Sequence, residues 1–364
     1  MPETFIGQLN ERLTKKRDEL KNNLHQSGKQ IDAELSARTL EHWHSPLPTA
    51  RALPKRPAYA IDGSRRRANL VNGSTVFVAQ ALVMGESVNE PLTDIEILPG
   101  IVRAETMDRF ADLMLRRLEI NLASEYAAKI PQGSILYLDG AIYGMLPQLY
   151  PLRGEGIPSD RDYGTLLLED YRNLFARCAA RDILLLSVAK TNRQALLSKI
   201  IQRDLGRSEI IEITDSALLD ALTERKPGYS TPLLLGRHSF EQGKSNVVLE
   251  DARVRDEPAI ISFFVRLAEM DDLLRVDVPA NCVGRGERIG DVDAEFLDAP
   301  SARPLVELLQ ADYGGIQVYN ALLYVTDLEV RLSKDKMYNI YLPMVAEVLG
   351  EELRIDRSER RFVD

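Results

Sequence analysis

Two aspartates are the first candidates for chemistry, because each closes a short apolar run and precedes a glycine. Asp62 lies in YAIDGS (59–64) and Asp139 lies in SILYLDG (134–140). Such runs predict buried strands, and the glycine permits a tight turn or the close approach of a ligand. Each Asp-Gly alone is equally typical of a turn that ends a strand. Two carboxylates on neighbouring strands, however, repel each other unless a cation lies between them, and Mg²⁺ or Mn²⁺ prefers such oxygen ligands.

A helix between these two runs supplies a third carboxylate. Residues 104–129 have helical periodicity, and Glu119 falls on the apolar face, one turn from Leu115 and Leu122. A buried carboxylate is costly unless it has a partner. Glu119 is therefore predicted either to ligate a metal or to form an ion pair with Arg116, three residues earlier. Both interpretations stay open.

The elements that must position these residues indicate an α/β fold. Asp62 is expected at the end of the first core strand, followed by a turn, and the strands next to it are predicted to pair in antiparallel fashion. The last stretch, 316–332, is predicted to begin as a strand and to become a helix or turn near Asp327. The other predicted elements are strands at 74–85, 92–98, 134–140, 182–191, 247–250, 259–267 and 273–278, helices at 104–129 and 165–181, and a loop at 279–300.

Three regions are predicted along the chain: a helical segment (1–44), a proline-rich linker (45–57) and a catalytic domain (58–364). In the first, Leu9, Leu13 and Leu20 form a narrow apolar stripe. A narrow stripe is typical of pairing with one other helix, although packing on its own domain is the simpler alternative. We expect that deleting 1–44 would abolish association with partner chains and retain cleavage at least in part.

The composition is that of an ordinary soluble protein. The 364 residues are 45% hydrophobic and 28% charged, and the formal net charge of −9 argues against a protein that coats DNA through its overall field. It does not exclude an enzyme with a locally basic channel. Cys178 and Cys282 form no C-x-x-C pair, and no secretory signal or apolar run of membrane-spanning length is present. A cytoplasmic protein without a membrane segment is therefore expected.

The order of these features resembles the NurA family of nucleases. A strand with Asp62, antiparallel strands, a helix with Glu119, a strand with Asp139 and a late ligand near a C-terminal helix is the order of ribonuclease-H-like nucleases. The likeness covers about residues 58–335. The strings that carry it are YAIDGSRRR, ILYLDGAIYG, LLLSVAKTNR, FFVRLAEMDDLLRVDVP and YNALLYVTD. The implied fold is a ribonuclease-H-like mixed sheet flanked by helices, with an N-terminal helical extension.

The resemblance also implies a site. Its metal ligands, for two Mn²⁺ (or Mg²⁺) ions, would be Asp62, Glu119, Asp139 and Asp327. Asp327 stands where the family commonly has His, which puts the metal geometry in question. Lys190 and Tyr319 would complete the catalytic set, Lys190 by neutralising charge on the phosphate. The residues expected to contact DNA are Arg65, Arg66, Arg67, Lys190 and Arg193.

The implied function is a DNA nuclease with 5′-to-3′ exonuclease and single-strand endonuclease activity. NurA proteins are homodimers that work with the hexameric HerA ATPase in DNA end processing, so both associations are expected. No G-x-x-x-x-G-K-[ST] motif is present, so an ATP-driven motor would be another polypeptide. The alternative is a catalytically inactive ribonuclease-H-like subunit that binds DNA or serves as a scaffold for the ATPase. An RNA-directed enzyme of the same fold is a third possibility.

Overall fold

A mixed β-sheet with helices on both faces forms the centre of the molecule. The computed structural model describes residues 3–25, 31–49, 56–152, 157, 162–190, 194–240 and 245–357. The sheet has eleven strands: β1 (Trp43–His44), β2 (Ala58–Asn69), β3 (Thr75–Gly85), β4 (Val88–Leu98), β5 (Ile135–Asp139), β6 (Leu184–Ala189), β7 (Gly228–Ser230), β8 (Leu233–Leu235), β9 (Ile260–Arg266), β10 (Leu274–Pro279) and β11 (Ala294–Phe296).

The strand order is β1-β7-β9-β10-β6-β5-β2-β3-β4, and β8 and β11 extend from β9. Strands β2, β3 and β4 pair in antiparallel fashion through short connections. Strand β5 is parallel to both β2 and β6, whereas β10 returns antiparallel to β6. The centre of the sheet is therefore parallel, and the strands on either side of it are antiparallel.

The helices are α1 (Glu3–Lys15), α2 (Arg17–His25), α3 (Ala33–Glu41), α4 (Ala104–Lys129), α5 (Tyr163–Ala180), α6 (Leu196–Asp204), α7 (Asp215–Leu222), α8 (Ser245–Glu250), α9 (Ala252–Arg255), α10 (Arg303–Ala311), α11 (Ala321–Val330), α12 (Lys334–Lys336) and α13 (Leu342–Leu349). A π-helical turn, Met337–Tyr341, joins α12 to α13. Within the described ranges, no helix is both long enough and apolar enough to cross a bilayer.

Strand β5 shows how the two cores are divided. Leu136 and Leu138 point into the larger core, which contains residues of α4 and α5. Ile135 and Tyr137 point into a second core, which contains residues of α10 and α11. Successive side chains of a strand face opposite sides, so a β-strand buried on both faces is apolar throughout, as the sequence predicted for this run.

The predicted fold class is confirmed: the molecule is a mixed α/β fold with helices around the sheet and helices at its N-terminus. The predicted helix at 104–129 coincides with α4. Two predicted strands are wrong. Residues 245–250 form α8, in which Val248 is buried and Val247 exposed, and 316–320 contain no strand. Tertiary packing overrides the weak β preference of such short segments.

The predicted turn after Asp62 is also wrong. Strand β2 continues through Gly63 and the three arginines to Asn69, because β3 pairs with it from Ala60 to Asn69. Asp62 therefore lies inside a long strand and not at the end of a short one, whereas Asp139 is the last residue of β5.

The N-terminal helices differ in how they pack. Phe5, Leu9 and Leu13 of α1 are exposed. In α3, by contrast, Leu35 is fully buried in the larger core. Asp32, the residue that precedes the helix, forms a 2.7 Å ion pair with Arg207. Helix α3 is thus part of the packed body, although the division of the chain into 1–44, 45–57 and 58–364 stays a prediction. Residues 50–55 of the proposed linker lie outside the described residues.

A buried ion pair in the sheet leads to a prediction about stability. The side chains of Arg275 and Asp277 are 1% and 0% exposed, and their charged groups are 2.9 Å apart. Asp277 also accepts hydrogen bonds from Ser262 and from the backbone of Tyr143. We expect Asp277→Ala to lower the free energy of unfolding by about 3–5 kcal/mol, because it leaves a buried guanidinium unpaired.

Urea denaturation would measure this loss. The matched control is Asp256→Ala, which breaks the exposed pair with Arg288 and is expected to cost no more than about 1 kcal/mol. Equal losses in the two variants would contradict the assignment of Asp277 as an essential buried partner.

Candidate metal site

Asp62 and Asp139 lie side by side on the two central parallel strands. The register pairs Ile61 of β2 with Leu138 of β5, so the next residue on each strand is an aspartate. Asp62 is 4% exposed, and Asp139 is only partly buried. Both point to the face covered by α11, since Ala60 and Tyr137, two residues earlier on each strand, belong to that core.

The glycines after the two aspartates allow α4 to pack closely against the sheet. A Cβ atom on Gly63 would lie 2.6 Å from Glu119 Oε1 and 2.6 Å from Leu115 Cδ1. Gly140 has φ +85°, and a Cβ atom there would collide with the guanidinium of Arg116. Gly63 is thus needed for a close approach, and Gly140 for both a left-handed turn and a close approach.

Glu119 and Arg116 extend from α4 to the same end of the sheet. Arg116 Nη1 lies 2.9 Å from Glu119 Oε2 and donates a 2.8 Å hydrogen bond to the backbone carbonyl of Asp139. The ion pair weighed in the sequence is therefore present. It does not separate Glu119 from the aspartates, since the charge of Glu119 acts on Asp62 and that of Asp139 acts on Glu119.

Burial and neighbouring charges raise the proton affinity of Asp62 and Glu119. Burial, followed by the charges of Asp139, Glu119 and Asp327, raises the pKa of Asp62 to about 8. Burial, with Arg116 opposing it and Asp139 adding to it, raises the pKa of Glu119 to about 7. At neutral pH, holding these carboxylates close together destabilises the folded state, and a nearby cation would remove that destabilisation.

One oxygen in this group lacks a partner. Asp62 Oδ1 accepts a 2.7 Å hydrogen bond from the backbone N–H of Gly63, whereas the buried Oδ2 has no hydrogen-bond partner among the described residues. An unpaired buried carboxylate oxygen beside a second carboxylate fits a hard cation such as Mn²⁺ or Mg²⁺. Across the ranges described, no three His, Cys, Asp or Glu side chains already have a metal-binding geometry. Glu119 in particular would have to turn from Arg116 toward the aspartates.

Asp327 and helix α4 lie on opposite faces of the sheet. Asp327 lies on α11, which packs across β2 and β3, and its side chain is 37% exposed. Its charge contributes to the raised pKa of Asp62, so Asp327 lies within electrostatic range of that carboxylate. Asp327 also lies 3.6 Å from Arg331, a weak and exposed ion pair.

Lys190 and Tyr319 both contact Asp139. Lys190 Nζ is 3.7 Å from Asp139 Oδ2, and the Tyr319 hydroxyl donates a 3.3 Å hydrogen bond to Oδ1. The Lys190 ammonium also lies 4.9 Å from the centre of the Tyr319 ring. Burial and the neighbouring carboxylates raise the pKa of Tyr319, so its proton is held at this position. The structure therefore brings both predicted residues to one carboxylate.

The three arginines after Asp62 do not form a basic turn. They alternate along β2: Arg65 and Arg67 reach the α4 face and pair with Asp112 and Asp108, whereas Arg66 points to the other face and donates to the backbone carbonyl of Leu332. Their contact with phosphate stays a prediction. Arg193 lies outside the described residues.

Arg116 is the residue whose importance the sequence understated. The sequence indicates it only as a competing partner for Glu119, yet Arg116 also holds the backbone at Asp139. The signal was its position one helical turn before Glu119, but nothing local predicts that an arginine on α4 reaches across to the end of β5.

The raised pKa of Asp62 gives a prediction for the protein without metal. A carboxyl group whose pKa is higher in the folded than in the unfolded state destabilises the fold increasingly as pH rises from about 4 to about 8. Asp62→Asn should therefore raise the melting temperature in EDTA by a few degrees at pH 8 and by less at pH 5. Calorimetry measures both, with exposed Glu295→Gln as control. An equal shift at both pH values would contradict this electrostatic account.

The chain matches the NurA domain family model over residues 56–309. It is similar to the crystal structure of the NurA nuclease from Sulfolobus solfataricus, with a TM-score of 0.58 and 17% identity over 94% of this chain and 97% of that one. It is also similar to a NurA structure bound to dAMP and manganese, with a TM-score of 0.54 and 15% identity over 93% of this chain and 96% of that one. No curated protein sequence matches it.

The related structures have the same fold at low sequence identity. The family model covers well over half of the chain, including the strands and the helix that carry Asp62, Glu119 and Asp139. Asp327 lies beyond the end of that match. On this evidence the chain belongs to the NurA family.

Proposed function

We propose that this chain is a metal-dependent DNA nuclease, with residues 58–364 as the nuclease domain. The observation that carries the proposal is the buried, unpaired oxygen of Asp62 beside Asp139. Family membership supports it, and two related NurA structures contain manganese, one of them with dAMP.

In the proposed site, Asp62 and Asp139 hold Mn²⁺ or Mg²⁺ from the sheet, and Glu119 and Asp327 complete a site for two ions from the flanking helices. Bound cations would supply a nucleophilic hydroxide and neutralise charge on the scissile phosphate. Arg116 orients Glu119 and holds the backbone at Asp139. Lys190, whose side chain is 38% exposed, is available to a phosphate oxygen. The Tyr319 hydroxyl stays protonated and donates a hydrogen bond to Asp139.

The finer features of this proposal come from the family resemblance. They are 5′-to-3′ exonuclease and single-strand endonuclease activity, DNA end processing in the cytoplasm, and association with a HerA-type hexameric ATPase. Labelling an oligonucleotide at either end and following product lengths would test the polarity. Products released first from the 3′ end would exclude a 5′-to-3′ exonuclease.

The first test is loss of cleavage on removing a ligand charge. Asp62→Asn and Asp139→Asn should each lower Mn²⁺-dependent cleavage of a labelled oligonucleotide by at least about a hundredfold, because asparagine keeps the volume without the charge that holds the metal. EDTA should abolish wild-type cleavage.

Asp327→Asn should also lower the rate, and its matched control is Glu329→Gln, which changes an exposed carboxylate on the same helix and should leave the rate unchanged. Near-normal cleavage by both Asp62→Asn and Asp139→Asn would contradict the proposed site. Absence of any metal-dependent cleavage by the wild type would favour the alternative, an inactive DNA-binding or scaffolding subunit. The Glu119–Arg116 ion pair is the observation that keeps this alternative open.

A homodimer is the second part of the proposal, and the exposed stripe of α1 supports it. Phe5, Leu9 and Leu13 are 65%, 58% and 46% exposed. Apolar side chains repeated on one helical face are a solubility liability unless a partner covers them. Because the family resemblance implies a homodimer, a second copy of this chain is the proposed occupant.

Helix α3 determines how this should be tested. Because Leu35 is buried in the larger core, the deletion should end after α2, at His25, and not at residue 44. We expect the shortened chain to be a monomer by light scattering while keeping metal-dependent cleavage at least in part. An unchanged dimer would exclude α1 as the dimer surface, and a retained dimer that has lost ATPase binding would assign the stripe to the ATPase instead.

A further inference from the structure

Three side chains of the hairpin β2–β3 bind the main chain at the end of α11. The backbone N–H of Leu332 donates a 2.9 Å hydrogen bond to Ser64 Oγ, and Arg66 Nε donates a 2.9 Å hydrogen bond to the carbonyl of the same residue. Gln80 Nε2 donates to the carbonyl of Val330. We refer to Ser64, Arg66 and Gln80 as the strand clamp.

The clamp follows from the alternation of the sheet. Ser64 and Arg66 are two and four residues after Asp62 on β2, so all three point to the α11 face. Gln80 is the residue of β3 that pairs with Ser64. The Tyr341 hydroxyl donates a 2.8 Å hydrogen bond to Gln80 Oε1, which orients the amide so that its N–H groups face Val330. The strand that carries the first metal-ligand candidate thus also carries two clamp residues.

Helix α11 ends where the clamp binds it. The last carbonyls of a helix lack partners within the helix, and Val330, the last residue of α11, has its carbonyl bound by Gln80. Leu332, bound at both of its backbone groups, is also buried against Ala68 and Val78 of the same hairpin. The end of α11 is therefore fixed to the sheet by polar and apolar contacts.

Asp327 lies in the last turn of α11, three residues before Val330. Its ion pair is with Arg331, whose side chain is 64% exposed, and such a pair holds a carboxylate only weakly. The position of Asp327 relative to Asp62 is then set mainly by the helix itself, and the helix is held at this end by the clamp.

We propose that Ser64, Arg66 and Gln80 are positioning residues that fix the Asp327 carboxylate over the metal site on β2. This inference rests on the proposed function, because it assumes that Asp327 ligates the metal together with Asp62. A displacement of about 1 Å in a catalytic group can cost about a hundredfold in rate, so a clamp acting only on the main chain is sufficient to control the fourth ligand.

The test is a double-mutant cycle on metal affinity, which does not depend on turnover. Mn²⁺ dissociation constants are measured by electron paramagnetic resonance of free Mn²⁺ for the wild type, Gln80→Ala, Asp327→Asn and the double variant. We expect Gln80→Ala to weaken Mn²⁺ binding by roughly tenfold in the wild type, as for other residues that orient a ligand, and to have little effect once Asp327 is asparagine.

Matched variants separate positioning from general loss of structure. Ser64→Ala should act in the same direction as Gln80→Ala, and Ser64→Thr, which keeps the acceptor oxygen, should restore the affinity. Glu329→Gln is the control, because it alters an exposed side chain on α11 without changing the main-chain hydrogen bonds of the clamp. Gln80→Glu serves if Gln80→Ala does not fold, because it keeps the acceptor for Tyr341 and removes the donor to Val330.

Two outcomes would contradict the positioning role of the clamp: Gln80→Ala weakens Mn²⁺ binding equally with and without the Asp327 carboxylate, or it does not weaken Mn²⁺ binding at all. If Asp62→Asn still abolishes Mn²⁺ binding in that case, the proposed metal site stands and only the role of the clamp is wrong. If Asp62→Asn leaves Mn²⁺ binding unchanged, the proposed metal site is wrong, and the role of the clamp fails with it.

Discussion

The parallel pairing of β2 with β5 is the constraint on which the rest of the site depends. It places Asp62 and Asp139 next to each other at the centre of the sheet, where burial and the charge of Asp139 both oppose ionisation of Asp62. A fold does not hold two such groups together without compensation. Hydrogen bonds from Gly63 and Tyr319 supply part of it, and the buried Oδ2 of Asp62 is open to the cation that we propose for this site.

Helix α4 packs closely against the sheet at strands β2 and β5. The helix approaches so closely that Gly63 and Gly140 have no room for a Cβ atom, and Glu119 and Arg116 occupy that space. Arg116 both lessens the cost of burying Glu119 and ties the helix to the end of β5. The Asp-Gly pairs therefore serve two faces at once: the carboxylate faces α11, and the glycine faces α4.

Much of this arrangement could be predicted from local sequence, because apolar runs and helical periodicity depend on near neighbours. Asp62, Asp139 and the face of Glu119 belong to that part. The continuation of β2 past Asp62 could not be predicted, because pairing with β3 and not local preference keeps the three arginines extended. For the same reason, local sequence does not predict that these arginines alternate between Asp108 and Asp112 on one face and the backbone of Leu332 on the other. Contacts between residues far apart in the chain decided each of these points.

The fourth carboxylate is held differently from the other three, and this bears on the residue type at position 327. Asp62 and Asp139 are fixed by strand register, and Glu119 by its ion pair and by contact with Gly63. Asp327 depends on a helix whose end is bound through backbone atoms of Val330 and Leu332. Bonds to the main chain do not specify the side chain one turn earlier. The family resemblance implies His at this position, and in the proposed site an Asp there would change the reach and charge of the ligand without rebuilding the sheet.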